Sequence, residues 1–402
     1  MLSLADVRAA RDRLDDVARW TKLARQGTIS EKAGTDVLLK FENEQRTGSF
    51  KVRGATNRIR TLGTAERDDG VITASAGNHA QGVALAAQKS DVDAVVVMPE
   101  YASISKVRAT RGYGAEVVLH GQDYDDAQDH AMSLASESNR TYVHAFDDEA
   151  VMAGQGTIGL ELLEDRSDVD TVVVPVGGGG LISGVATAVK ALDPSIRVVG
   201  VQAAGAAALE SALEQGPSFE LDSVDTIADG IATGQVGEKP LSVIQKHVDD
   251  VVTVTDSQIA SALILLLERE KTLVEPSGAV PVAAVLESRF DFDDDSTIAC
   301  VLSGGNIDLN LLSSVIRRGM VDRGRYVKLR TVVKDRPGAL NDLLDVIADA
   351  GANIYAIEHD RTSRRLSMNA TEIELALETR GPEHVEELLH RLREDHEVEL
   401  MR

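Results

Sequence analysis

Through the first three quarters of the chain, short apolar runs alternate with longer stretches whose apolar positions recur every three or four residues. The runs at Val71–Ala74, Ala94–Met98, Glu116–Leu119, Thr171–Val176, Arg197–Gln202 and Ile298–Leu302 predict strands. The stretches between them predict helices reaching Lys89, crossing Ile104–Tyr113, starting at Tyr124 and ending at Leu192. Such alternation of strands with helices implies an open, mainly parallel sheet covered by helices. The pattern changes after Gly319. Strands are predicted at Tyr326–Val333, Asn353–Glu358 and Ala370–Glu378, with helices up to Ala350 and over Pro382–Glu394 and a short terminal strand. That order, βαββαβ, is close to the ferredoxin-like arrangement. MVDRGRY reads as a linker between the two patterns.

Composition narrows the classes. With 43% apolar residues over 402 positions, the chain has enough material for two or three packed domains. Its longest nearly apolar run, Ile259–Leu267, is too short to cross a bilayer, and the N-terminus lacks an export signal, so no membrane association is expected. A single cysteine, Cys300, fits a reducing, cytoplasmic compartment. The net charge of −23 argues against nucleic acid as a partner, because that affinity is built on Lys and Arg neutralising phosphates. Counts of 12 Lys against 30 Arg, with acidic clusters such as Asp293–Asp294–Asp295, suit either an ordinary acidic protein or a halophilic one.

Candidate chemistry sits where strands end. Lys51, in GSFKVRGA, is a solvated charge or, flanked by an aromatic and small residues, a desolvated amine available as a nucleophile. Ser75-Ala76-Gly77-Asn78-His79 separates a strand from a helix and serves as a helix cap or as an anion site. Gly177-Gly178-Gly179-Gly180 also lies between strand and helix, which leaves no slack for a linker and favours phosphate binding by converging N–H groups. Ser303-Gly304-Gly305-Asn306 again follows a strand. In open parallel sheets ligands collect at the strand carboxyl ends, and these last three motifs all fall there. The histidines show no metal-ligand spacing, so no metal is expected and His79, His120 and His144 default to structural roles.

In this order and spacing, FENEQRTGSFKVRGA, SAGNHAQGVA, GQGTIGLE, PVGGGGLISG, ADGIA, VEPSGA and LSGGN resemble fold type II pyridoxal-phosphate (PLP) enzymes of the tryptophan synthase beta-like class, most closely threonine ammonia-lyases. The terminal unit resembles an ACT domain, an amino-acid-sensing module. The resemblance implies a large catalytic domain from residues 1–44 and 151–318, a small one over 45–150, a linker at 319–325 and a regulatory domain at 326–402. It implies that Lys51 holds the cofactor and shuttles the Cα proton, and that Phe50 packs on the pyridine ring. Ser75, Gly77, Asn78 and His79 would surround the substrate carboxylate, with Asn78 also reaching the phenolic oxygen. Gly177, Gly178, Gly179 and Gly180 would hold the phosphate, and Ser303 would meet the pyridine nitrogen. Asp335, Arg336, Pro337 and Gly338 would form the effector loop, with a branched-chain amino acid as the natural effector, since isoleucine lies downstream of 2-oxobutanoate. A homodimer or homotetramer is expected.

Gly230 and Glu275 lie in matching motifs, and the sequence assigns them no chemical step. Two departures stand out. Ala76 occupies the position of a second catalytic serine in relatives that racemise serine, and Ala204 stands where several relatives carry a metal-ligating glutamate. The implied activity is elimination from L-threonine, and from L-serine in the same way. A serine dehydratase, a threonine synthase-like enzyme and a non-catalytic amino-acid sensor are the alternatives.

Overall fold

A computed structural model describes residues 1–360 and 369–401 as two compact units, 1–307 and 308–402. The first unit holds two sheets. The larger is built from β1 (Leu23–Arg25), β2 (Asp36–Lys40), β7 (Thr171–Pro175), β8 (Arg197–Ala203), β9 (Asp250–Val254) and β10 (Thr297–Val301), in the order β1-β2-β10-β7-β8-β9. All its pairings are parallel except β1 with β2. The smaller consists of β3 (Val71–Ala74), β4 (Ala94–Met98), β5 (Glu116–Leu119) and β6 (Thr141–Tyr142), parallel throughout, in the order β5-β4-β3-β6.

β3, β4, β7 and β10 are buried at every residue, as expected of strands covered on both faces. Between the large sheet and the helix Gly180–Leu192, Val172, Val174, Ile182, Val185 and Val189 form one core. Val71, Val96, Met98, Ala80, Val83 and Ala87 form another under the small sheet. The helix Lys51–Arg60 packs on both the helix Asn78–Lys89 of the small-sheet half and the helix Glu149–Asp165 of the large-sheet half.

Every predicted strand is present, with ends shifted by at most two residues. The periodicity misses β1, β2, β6 and β9. β1 and β6 are three and two residues long, too short for any repeat to show. β2 ends on Lys40, a charge that reads as loop but is fully buried against Glu161. β9 is an edge strand, mostly half-exposed and interrupted by Asp250 and Thr253.

In the second unit, β11 (Tyr326–Lys334), β12 (Asn353–Asp360), β13 (Ala370–Glu378) and β14 (Val398–Met401) form an antiparallel sheet of order β12-β13-β11-β14. The helices Ala339–Asp349 and Pro382–Asp395 contribute Leu343, Ile347, Leu388 and Leu392 to a core shared with Leu329, Ile373, Leu375 and Leu377. The order is the expected βαββαβ, preceded by a helix Leu309–Asp322. That helix, whose buried face carries Val315 and Gly319, runs into the segment 319–325 read as linker.

Candidate active site

Lys51 is the first residue of its helix, directly after Ser49 bridges to Gly304. The Phe50 N–H donates to the carbonyl of Ser303 at 3.1 Å. These bonds bring the lysine to the end of β10. Its ammonium donates to the Ala145 carbonyl at 2.9 Å and stands 5.2 Å from the Phe50 ring centroid. Burial disfavours the charged amine and brings its pKa down to about 8, although Glu275 pulls the other way. An amine so placed is neutral in a large fraction at mildly alkaline pH and can act as nucleophile and proton acceptor.

The glycine run turns from β7 into the helix Gly180–Leu192. Gly179 has φ +90, which an L-residue with a side chain would adopt only under strain. A Cβ on Gly178 would come within 2.5 Å of the Phe146 ring. The helix behind the turn carries a positive N-terminal end with N–H groups that lack intrahelical acceptors, a seat for a phosphate.

Ser75 follows β3, and its hydroxyl accepts from the Gly77 N–H at 3.2 Å. Asn78 and His79 then open the helix Asn78–Lys89. The His79 ring is buried, with Nε2 2.9 Å from the Val143 carbonyl. That nitrogen must carry the proton, so Nδ1 is a bare lone pair. Burial, aided by the nearby Lys51 charge, lowers the His79 pKa to about 3. The ring of His79 therefore cannot donate to a carboxylate, and only its backbone N–H can. Ser303 is buried at the end of β10.

Three residues without a predicted role enter the same site. Glu275 accepts from Asn78 Nδ2 at 2.7 and 3.0 Å. Asn306 donates to Asn78 Oδ1 at 2.7 Å. Phe146 covers the glycine run and stacks edge-on with His144, their centroids 4.6 Å apart. VEPSGA and SGGN were the available signals for the first two; Phe146 carries none.

A family described as "Pyridoxal-phosphate dependent enzyme" matches residues 14–304, and an ACT domain matches 323–400. The chain belongs to this PLP-dependent family. It is 45% identical over 388 residues to an L-threonine ammonia-lyase of Thermotoga maritima, covering 96% of each chain. It is 47% identical over 392 residues to an L-threonine ammonia-lyase of Geobacter sulfurreducens, covering 98% of this chain and 97% of that one. Among solved structures, the processed form of threonine deaminase isoform 2 from Solanum lycopersicum superposes with a TM-score of 0.75 at 39% identity, covering 78% of this chain and 92% of that one. The fold is accordingly PLP fold type II with a C-terminal ACT domain.

The residues present fit that cofactor. The half-buried amine of Lys51 lies beside an aromatic face, and the glycine turn opens onto a helix N-terminus. His79 Nδ1, beside the Lys51 charge, is a buried polar atom without a partner, as expected where a polar ligand completes the site. Among the described residues, no three His, Cys, Asp or Glu converge as a metal site, and no helix is long and apolar enough to cross a membrane.

Proposed function

We propose that this chain is an L-threonine ammonia-lyase that converts L-threonine to 2-oxobutanoate and ammonia by α,β-elimination, with L-serine giving pyruvate in the same way. The observation that carries this reading is near full-length similarity to two L-threonine ammonia-lyases, combined with an intact Lys51 centre.

Lys51 would hold PLP, with Phe50 against its ring, Gly177, Gly178, Gly179 and Gly180 around its phosphate, Asn78 at its phenolic oxygen and Ser303 at its pyridine nitrogen. When bound, PLP supplies the electron sink for charge left on the substrate Cα. Ser303 offers a neutral hydroxyl, which does not hold the pyridine protonated as a carboxylate would, and this favours prompt departure of the β-hydroxyl. Ser75, Gly77, Asn78 and the backbone N–H of His79 would bind the substrate carboxylate at the helix N-terminus. Lys51 Nζ takes the Cα proton, and its depressed pKa lets it release that proton again near neutral pH. The β-hydroxyl leaves as water, and the released enamine takes up water to give the keto acid and ammonia.

The reading extends to a cytoplasmic homo-oligomer serving isoleucine formation, with an acidic surface suited to high salt. The ACT unit would sense a branched-chain amino acid at Asp335, Arg336, Pro337 and Gly338. The loop's charges favour such a ligand only in part, since Arg336 already pairs with Asp342 at 2.9 Å. The deciding experiment is a keto-acid assay of the PLP-loaded protein on threonine and serine, with phosphohomoserine as control. Formation of 2-oxobutanoate from threonine is expected; threonine formed from phosphohomoserine, or no product at all, overturns the reading.

A further inference from the structure

Asn78 opens a helix of the small-sheet half, whereas Glu275 caps the helix Pro276–Leu286 in the large-sheet half. The two residues lie 197 positions apart and meet across the cleft. Asn78 Nδ2 donates to Glu275 Oε1 at 2.7 Å and to Oε2 at 3.0 Å. On the opposite side, Asn306 Nδ2 donates to Asn78 Oδ1 at 2.7 Å and to the Thr47 carbonyl at 2.6 Å. The Glu275 backbone is itself fixed, its N–H donating to the Gly304 carbonyl at 2.9 Å. One amide is therefore gripped at both ends by groups from outside its own sheet.

We propose that Glu275 is a positioning residue that acts through Asn78, holding the orientation of that amide in the site and tying the two halves of the cleft together. The inference rests on the reading of this site as an amino-acid elimination centre.

Donor and acceptor counting supports it. Asn306 presents a donor, so Asn78 must turn Oδ1 towards it. Nδ2 then faces Glu275 and needs an acceptor there. An ionised carboxylate accepts at both oxygens, whereas a neutral acid offers one acceptor and one competing O–H. Charge-assisted bonds of this kind are also the stronger ones. The state of the carboxyl is finely balanced. Burial opposes its charge most, the Asn78 bond favours it, Lys106 favours it, Asp229 opposes it, and Lys51 favours it, which leaves the pKa at about 7. The grip on Asn78 thus loosens as pH falls through neutrality.

The test compares Glu275→Leu with Glu275→Gln, which keeps an oxygen facing Asn78. In the PLP-loaded protein, Glu275→Leu should raise the KM for threonine about tenfold, the loss of one well-placed hydrogen bond. Glu275→Gln should recover most of that loss. The parent's KM should climb below pH 7, while that of the Gln variant stays flat. A second arm uses the cofactor-free protein. A carboxyl whose folded pKa is raised costs stability above its unfolded pKa, increasingly up to its folded pKa. Glu275→Gln should therefore melt with the parent at pH 4 and above it at pH 8.5. An unchanged KM in Glu275→Leu, or a Gln-minus-parent melting difference that does not vary with pH, overturns the proposal. A parent that does not act on threonine overturns the functional reading instead, and the melting arm alone then decides the Glu275 contact.

Discussion

Arg53 and Glu161 meet fork to fork in the interior, Nη1 to Oε1 at 2.6 Å and Nη2 to Oε2 at 3.0 Å, with the guanidinium 1% exposed. Arg53 lies two residues after Lys51 on the same helix, while Glu161 belongs to the helix Glu149–Asp165. Glu42 takes the rest of the fork at 2.8 Å, and Lys40 reaches Glu161 at 2.7 Å. Two buried cations thus balance two buried carboxylates and hold the Lys51 helix in register with the large-sheet half. Removing one partner strands the others in the core. Glu161→Ala should cost about 3–5 kcal/mol in denaturant unfolding of the cofactor-free protein. A loss under about 1 kcal/mol would show the cluster to be replaceable by packing.

Lys51 should reveal its depressed pKa when it captures the cofactor. Only the unprotonated amine attacks the aldehyde of PLP, so capture by the cofactor-free protein should accelerate as pH rises through about 8. Stopped-flow absorbance from pH 6.5 to 9.5 measures this. A rate still climbing about tenfold per pH unit at pH 9.5 would mean that the amine is not desolvated. Lys51→Ala should lose both the cofactor's protein-bound absorbance and turnover.

These two residues mark what the sequence makes legible. Lys51 stands out as a candidate because its motif accompanies loops placed at strand ends by plain apolar runs. The cluster around Arg53 does not, because Lys40, Glu42, Arg53 and Glu161 read singly as surface charges. Their burial depends on mutual neutralisation across 108 positions between Arg53 and Glu161. The contact of Asn78 with Glu275 is hidden for the same reason: local pattern carries no pairing information at such separation. The His79 ring is hidden in another way, since only the structure shows its imidazole engaged with the Val143 carbonyl.

Ala76 leaves the Ser75–His79 turn without a second hydroxyl, and it packs instead beside the small-sheet core. In the proposed mechanism that position would then offer no acid to reprotonate Cα from the face opposite Lys51. L-Serine should be eliminated with little D-serine formed, as chiral chromatography would record. Racemisation at a rate comparable to elimination would place an acid elsewhere on that face. Ala76→Ser should introduce some racemisation only if its hydroxyl lies within about 1 Å of the productive position.

Net charge of −23 makes the fold self-repelling in dilute buffer. The screening length falls from about 30 Å at 0.01 M salt to about 3 Å at 1 M. The melting temperature should therefore rise between dilute and molar KCl. A flat response would leave the acidic surface as an ordinary one, with no adaptation to salt.

Gly338 has φ +90 and caps the helix Ala339–Asp349 of the ACT unit, so the DRPGA turn depends on it. Arg336 leans along the same turn to Asp342, which is exposed like its partner. The N–H groups at this helix start can receive an amino-acid carboxylate. The bare geometry would equally serve a purely structural turn, and regulation requires an effector that binds two states of the protein unequally. Gly338→Asp places a side chain in a left-handed backbone conformation and a negative charge where that carboxylate would dock. It should weaken the response to isoleucine or valine by tenfold or more, as about 1.4 kcal/mol of lost affinity would, while threonine turnover without effector stays near the parent's. Deletion of the unit is better made after Ile307 than after Arg318, since the later cut severs the helix Leu309–Asp322 and leaves an exposed stump. The shortened enzyme should keep threonine turnover and lose the response altogether. Calorimetry that finds neither amino acid bound to the intact protein, with threonine kinetics unaltered by both, would assign the ACT unit to assembly alone.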